Sequence, residues 1–522
     1  MFTDLNSYKI LKELSKDLID PDLDLTDEKI FTVDRIKKMK TQSLNFELLF
    51  ATERVDEKII KALFDLATET KAISKMQDLQ DGKVINCLKG CDSENRSVLH
   101  TAMRDFFENK NSSKDAKKAS ELAYAEIEKL DKFLKKIDSN NRFENICQIG
   151  IGGSFLGPKA LAEALKTYSI KNRKFYFISN VDPDDSSYIL DNINLEKTLF
   201  VSVSKSGTTL ETLTNEEIVK NRLKEKGLNP KDHMASVTGK NSPMDDPSKY
   251  LESFYIWDYV GGRYSVSSMV GGVLLGFMFG IDVFKDFLKG ASHMDKIALK
   301  NDESNLPLFS ALLGIWNRNF LNHSNLAVIP YSNALLYFPL HLQQLDMESN
   351  GKSIDKNCEN VCFKTGPIIF GDIATNAQHS FFQHLHQGTD IVPIEFIGFK
   401  NSQEGKDLKV DKTTSQEKLL SNMFAQSLAL ARGKKDKNLN KNFSGNRVNH
   451  ILLTDKLDPY TLGALLAYFE HKVAFQGFIW DINSFDQEGV QLGKVLANKF
   501  LKLFAKKDVD FDIGKEYLKF LQ

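Results

Sequence analysis

Within six residues, Ser204-Lys205-Ser206-Gly207-Thr208-Thr209, lie four hydroxyls and one ammonium, at the point where a strand-like run gives way to a helical one. A phosphate monoester presents several oxygens that need donors, and hydroxyls, a lysine and the free N–H groups of a helix start supply them. Ser and Thr also serve as plain helix caps, but a cap requires neither the lysine nor repeated hydroxyls. A second loop, Gly150-Ile151-Gly152-Gly153-Ser154-Phe155-Leu156-Gly157-Pro158, likewise follows a strand pattern and precedes a helix. Two nucleotide motifs fail there. Phe155 stands where a dinucleotide fingerprint needs its third glycine, and Pro158 and Lys159 follow Gly157 where a Walker loop needs lysine and then a hydroxyl residue. The turn can hold an anion without a nucleotide signature, with Ser154 offering a hydroxyl; a tight packing turn would carry the same glycines.

Acid–base candidates come next. Arg263, in Gly261-Gly262-Arg263-Tyr264-Ser265, is held at the entrance to an apolar helix, where a guanidinium makes a structural ion pair or faces a developing oxyanion. Glu348 closes a helical pattern over 336–348 (LYFPLHLQQLDME), which Ser349-Asn350-Gly351-Lys352 stops. There the helix's negative end opposes a further negative charge, a setting that suits a base which must return its proton. A surface glutamate has the same signature. Asn376-Ala377-Gln378-His379 follows the strand pattern TGPIIFGD, with His384 and His386 behind it at intervals of five and two. That is not a zinc spacing, so no metal is expected, and His379 is better suited to proton transfer. Gln487 and Lys494, seven apart at the opening of a C-terminal helix, are expected to share one face.

These residues need elements to position them. The length of 522 residues suffices for two or three domains, and 42% hydrophobic with 27% charged residues is an ordinary globular mixture. Lys plus Arg number 69 against 70 Asp plus Glu, a net charge of −1 that argues against a nucleic-acid or polybasic membrane partner. Five cysteines, Cys87, Cys91, Cys147, Cys358 and Cys362, are too few and odd for a disulfide framework and suit a reducing cytosol. The start MFTDLNSYKILKELSKDL lacks the order of a secretion signal, and the run 269–281 is too short to span a bilayer and reads as a buried helix. The first hundred residues show helical spacing with few strand signals. From 144, short apolar runs alternate with helices (ENICQIGIGG, KFYFISN, KTLFVSVSKSG, HMASVTG), and a second block follows from 325 (NLAVIPYS, TGPIIFGD, DIVPIEFIGF, NHILLTD). Such alternation predicts an α/β protein with two doubly wound parallel sheets in α-β-α sandwiches. The polar stretches 400–415 and 432–447 read as solvated loops.

In this order the motifs resemble the phosphoglucose isomerase family, from about Glu94 (ENRSVLHTAMR) to Lys494. The most diagnostic stretches are GGRYSVSSMVG at 261–271 and SFDQEGVQLGK at 484–494, joined by MESNGK at 347–352 and TNAQH at 375–379. The resemblance implies an N-terminal helical segment over 1–110 packing on the large domain, a small sugar-isomerase domain over 111–285, a large one over 286–483 and a C-terminal arm over 484–522. It further implies a cytoplasmic homodimer that interconverts glucose 6-phosphate and fructose 6-phosphate without cofactor or metal. Ser154, Ser204, Lys205, Ser206 and Thr209 would hold the phosphate, with Gly153 beside the sugar. Glu348 would move the proton between C1 and C2, Arg263 would stabilise the enediolate, and Gln344 and Gln487 would orient the sugar. His379 from the partner subunit and Lys494 would assist ring opening. The chain departs from the family at Phe155, at Ser206-Gly207 as bacterial versions often do, and at GDIATN over 371–376.

Overall fold

The computed structural model describes the whole chain except residues 1, 17–22, 109–112, 508 and 522. The boundary drawn between 110 and 111, and the first residue and positions 17–18 of the amino-terminal stretch, lie outside the described residues. The described chain divides into two units, 1–484 and 485–522.

Helices Asn6–Lys16, Glu57–Glu69 and Ala72–Gln80 occupy much of the amino-terminal region, as its spacing predicts. That spacing misses a hairpin, β1 (Lys40–Ser43) and β2 (Phe46–Leu49). In β2 the alternation is two residues long: Phe46 and Leu48 are buried while Glu47 and Leu49 are half-buried. Four residues carry too little pattern to announce a strand within helical surroundings. A smaller hairpin follows, β3 (Val84–Asn86) with β4 (Arg96–Ser97).

The first alternating block folds as read. β5 (Asn145–Ile149), β6 (Lys174–Ile178), β7 (Thr198–Ser204), β8 (Met234–Thr238) and β9 (Ser253–Tyr255) form one sheet in the order β6-β5-β7-β8-β9, parallel throughout. β5, β7 and β8 are buried along their whole length, the mark of central strands covered on both faces. Its core includes Ile149, Ile178, Phe200 and Met234. The helix Met269–Phe279 is buried at every residue, as its continuous apolar run predicts. Among the described residues no helix is long and apolar enough to cross a membrane.

The second block supplies β10 (Asn325–Pro330), β11 (Ile368–Phe370) and β12 (Ile394–Asn401). A small exposed hairpin, β13 (Lys409–Val410) and β14 (Thr413–Thr414), forms within the polar stretch 400–415, and β15 (Asn449–Lys456) follows. The sheet order is β1-β2-β15-β12-β10-β11. The second block forms the expected parallel sheet, to which the amino-terminal hairpin adds an antiparallel edge. β10, β11, β12 and β15 are parallel, but β2 joins β15 antiparallel, Ile451 opposite Leu49, and β1 extends the edge. The hairpin covers an edge of β15 that would otherwise present unpaired backbone groups.

The helix Pro459–Trp480 is buried all round, yet it carries Glu470, His471 and Lys472 in succession. Each is paired: Glu470 with Arg104 at 2.7 Å, His471 with Asp295 at 2.7 Å, and Lys472 with Glu395. Burying charges costs less when each finds its partner.

The cysteines also differ from expectation. Cys91, in the β3–β4 connection, is joined to Cys358 by a disulfide, whereas Cys87, Cys147 and Cys362 are free. The two segments are already held together, with Lys89 N–H donating to the Lys356 carbonyl (2.8 Å) and Lys356 Nζ to the Cys87 carbonyl (3.1 Å). Sequence spacing could not register that proximity.

In the carboxy-terminal unit, helices Gln491–Phe504 and Asp512–Leu518 bring the Phe500 and Phe511 rings to 5.1 Å. The helix begins only at Gln491, after a short 3-10 turn over Glu488–Val490. Gln487 therefore stands outside it, in non-helical backbone (φ −153°, ψ 47°), and shares no helix face with Lys494. Gly489, a poor helix former, lies in that turn.

Candidate active site

Both phosphate-type loops leave the C-terminal ends of parallel strands, β5 and β7, where open α/β sheets bind ligands. At the β7 end, Thr209 occupies the N-cap of helix Leu210–Glu225, yet its side chain makes no capping bond. Its hydroxyl lies 2.8 Å from Ser204 Oγ instead. The neighbouring Ser206 Oγ accepts from Thr208 N–H (3.2 Å) and Thr208 Oγ1 (2.8 Å). A hydroxyl cluster stands at a helix start that its own N-cap residue does not close, an arrangement suited to an incoming anion.

Lys205 reaches across this loop, donating to the carbonyls of Val260 (3.2 Å) and Asp258 (3.4 Å). Burial lowers its pKa to about 8; the nearby Arg96 guanidinium adds to the shift, while Asp258 and Glu94 oppose it. Sequence reasoning did not single out Arg96 and Glu94, which come from the β3–β4 hairpin.

The other loop touches the acid–base residues. Gly153 is buried, and a Cβ on it would lie 2.2 Å from the Gly262 carbonyl oxygen and 3.0 Å from Arg263 N. Only glycine admits so close an approach of two backbones. Across Gly152, whose φ is +59°, stands the Gln344 amide, its Nε2 3.3 Å from where a Cβ would be. Gln344 Oε1 is buried and without a hydrogen-bond partner.

Arg263, only 2% exposed, lies in the turn Gly262–Tyr264 just before the buried helix. Its Nε donates to Ser349 Oγ at 2.7 Å and its Nη2 to the Ser484 carbonyl at 2.7 Å. Its Nη1 is 3.6 Å from Glu348 Oε2. Glu348 occupies the last turn of helix Phe338–Asn350, with Pro339 in the first turn, where proline costs nothing. That carboxylate oxygen, like Gln344 Oε1, is shielded from solvent and accepts no hydrogen bond. Two acceptor atoms left unsatisfied beside a glycine-lined loop are what a hydroxyl-bearing ligand would complete.

The structure thus gathers Gly153, Arg263, Glu348 and Gln344 around one contact between two turns, and groups Ser204, Ser206, Lys205 and Thr209 at the end of β7. Ser154 lies in the Gly153 turn, its carbonyl accepting from Gln148 Nε2 at 2.8 Å. His379 does not join these groups by a bond of its own: it is exposed at the end of helix Ala374–Gln378, which packs on β10 and the helix Ser415–Arg432. His386 pairs with Gln426 at 2.8 Å, and among the described residues no three His, Cys, Asp or Glu side chains converge as metal ligands. Gln487 and Lys494 belong to the carboxy-terminal unit, where Lys494 is exposed.

Parallel-sheet domains with hydroxyl-rich loops at their strand ends, set with a carboxylate against a guanidinium, define an α/β protein equipped for anion binding and proton transfer. Residues 49–515 match the family described as phosphoglucose isomerase, and the chain belongs to that family. It is 53% identical over 527 aligned positions to the glucose-6-phosphate isomerase of Protochlamydia amoebophila, covering 100% of this chain and 97% of that one. It is 51% identical to the enzyme of the same name from Desulfotalea psychrophila, covering 97% of each. The crystal structure of a glucose-6-phosphate isomerase from Chlamydia trachomatis superposes with a TM-score of 0.96 at 46% identity, covering 100% of this chain and 99% of that one.

Proposed function

We infer that the chain is an aldose–ketose isomerase that interconverts glucose 6-phosphate and fructose 6-phosphate, in glycolysis and gluconeogenesis, through ring opening and a cis-enediolate. The observation that carries the mechanism is the Glu348–Arg263 pair. A carboxylate with an unsatisfied oxygen stands 3.6 Å from a buried, fixed guanidinium, and the glycine turn of a phosphate-type loop touches the same backbone. One carboxylate that removes a proton from one carbon and returns it to the next, beside a cation that stabilises the oxyanion between, suffices for this isomerisation. No electrons leave the substrate, so no redox cofactor is needed.

In this reading Ser204, Lys205, Ser206, Thr209 and Ser154 hold the phosphate and Gly153 lies beside the sugar. Gln344 and Gln487 orient the hydroxyls. Lys494 and His379 transfer protons during ring opening, with His379 supplied by the second subunit of a homodimer. The exposure of His379 at the end of helix Ala374–Gln378 is compatible with service to a neighbouring copy. A cytoplasmic location follows from the phosphorylated substrate.

The test is a coupled assay for glucose 6-phosphate formed from fructose 6-phosphate, run with and without EDTA. Turnover that persists in chelator is expected. Folded wild-type protein without turnover in either condition would sink the isomerase assignment, and turnover lost only in chelator would sink its metal-free form.

A further inference from the structure

The contact between base and cation is too loose to fix either group. At 3.6 Å, Arg263 Nη1 and Glu348 Oε2 are beyond the usual N–H···O range, so the carboxylate does not set the rotamer of the guanidinium. That rotamer is set from behind. Nε donates to Ser349 Oγ and Nη2 to the Ser484 carbonyl, both at 2.7 Å, which turns Nη1 toward Glu348.

Ser349 is the residue after Glu348 in the same helix, and successive helical side chains diverge by about 100°. Glu348 is accordingly part-exposed, at 22%, while Ser349 is fully buried, at 0%. The same turn of helix therefore sets both the base and the anchor of the cation. The Ser349 hydroxyl in turn lies 3.1 Å from the Tyr264 hydroxyl. Tyr264 is itself buried, with the His100 ring stacked on it at 4.7 Å, and burial pushes its pKa up to about 12, so it stays a neutral phenol. An ionised phenolate could not donate to the serine; the phenol can either donate or accept.

We propose that Ser349 is the positioning residue of this centre: its buried hydroxyl, braced by Tyr264, locks Arg263 in register with Glu348. The proposal rests on the roles given above to Glu348 and Arg263. It explains why a small hydroxyl, rather than an apolar residue, occupies a fully buried helical position. A hydroxyl placed there only to pack would be replaceable by alanine, with any cost appearing in stability and none in the partition between binding and chemistry.

The experiment measures kcat and KM for fructose 6-phosphate in the full chain, for wild type, Ser349→Ala, Ser349→Thr and Tyr264→Phe, and for Ser349→Ala combined with Arg263→Lys. Displacing one fixed charge stabiliser costs about 10- to 100-fold, so Ser349→Ala should lower kcat by that factor with KM within about threefold. Ser349→Thr, which keeps the hydroxyl, should recover most of the loss. Tyr264→Phe should lower kcat about two- to tenfold. In the Arg263→Lys background, which has no Nε–H to anchor, Ser349→Ala should cost less than about twofold, because residues acting through one another are not additive. Wild-type kcat in Ser349→Ala, or the same fold-loss with and without Arg263→Lys, overturns the proposal. Should Ser349→Ala fail to fold by circular dichroism, Tyr264→Phe decides, and wild-type kcat there overturns it. Absence of turnover in wild type overturns the isomerase assignment and this inference together; normal wild-type turnover with an indifferent Ser349 overturns this inference alone.

Discussion

Glu348 and Lys205 carry the most direct consequences for single side chains. Glu348→Gln keeps the shape of the carboxylate but cannot take a proton, so turnover should fall about 10²- to 10⁴-fold while fructose 6-phosphate still binds. Unimpaired turnover in that variant would place the base elsewhere. Lys205, whose pKa burial lowers to about 8, is a cation below that pH and neutral above it. The kcat/KM for sugar phosphate should therefore fall as pH rises through about 8, and Lys205→Arg, which stays charged, should move the decline to higher pH. A profile flat from pH 7 to about 10 in wild type would show that Lys205 does not hold the substrate's phosphate. At this scale the sequence was readable where chemistry is local. Four hydroxyls and a lysine within six residues mark a candidate anion site before any fold is known, and the structure sets them together at the end of β7. Ser349 and Tyr264 were not readable, because the bonds that give them meaning close across 86 and 85 positions. The Glu470-His471-Lys472 triplet did carry a signal, three titratable residues in succession inside a mostly apolar helix of 22 residues, but nothing in the sequence names their partners.

At the scale of elements, the site depends on two turns that meet backbone to backbone. Gly153→Ala would drive a methyl group to 2.2 Å from the Gly262 carbonyl oxygen, a contact that neither turn can relieve by moving a flexible side chain. Separation of the turns should shift Arg263 with them. The expected result is a loss of kcat/KM of about 100-fold or more with a lowered melting temperature, read by the coupled assay and a thermal melt. An alanine variant of wild-type activity would mean that the two loops are not one site. The parallel core strands were legible because short apolar-rich segments recur between helical patterns, and β5, β7 and β8 are buried on both faces even where Gln148, Ser202 and Ser236 interrupt the apolar residues. The β1–β2 hairpin was not, since two inward side chains per strand are fewer than a periodic pattern requires. The C-terminal helix was legible as a helix but began late, and a face assigned by counting seven residues did not survive a 3-10 turn and a glycine.

For the whole molecule, the strongest expectation concerns two copies. If His379 serves the partner's site, inactive His379→Ala and inactive Glu348→Gln subunits should regain part of the wild-type activity when mixed, up to about a quarter per site pair by random pairing. No recovery after confirmed subunit exchange would remove His379 from the shared role. Composition could say little at this level: a net charge of −1 argues against a nucleic-acid partner and is silent on local cations. One feature of the large sheet bears on how the protein comes into being. The β2 strand closes on β15, and just beyond it Thr52 bonds the Asn449 carbonyl across 397 positions. While the chain is being made, the hairpin leaves the ribosome long before its neighbour exists, and the strand edge it will occupy appears only when most of the polypeptide is already outside. Contacts of such separation form late and slowly. The sheet that helps to hold Glu348 is thus finished late in synthesis, and a truncated translation product that stops short of β15 would leave one edge of β2 open, paired only with β1, and no working enzyme.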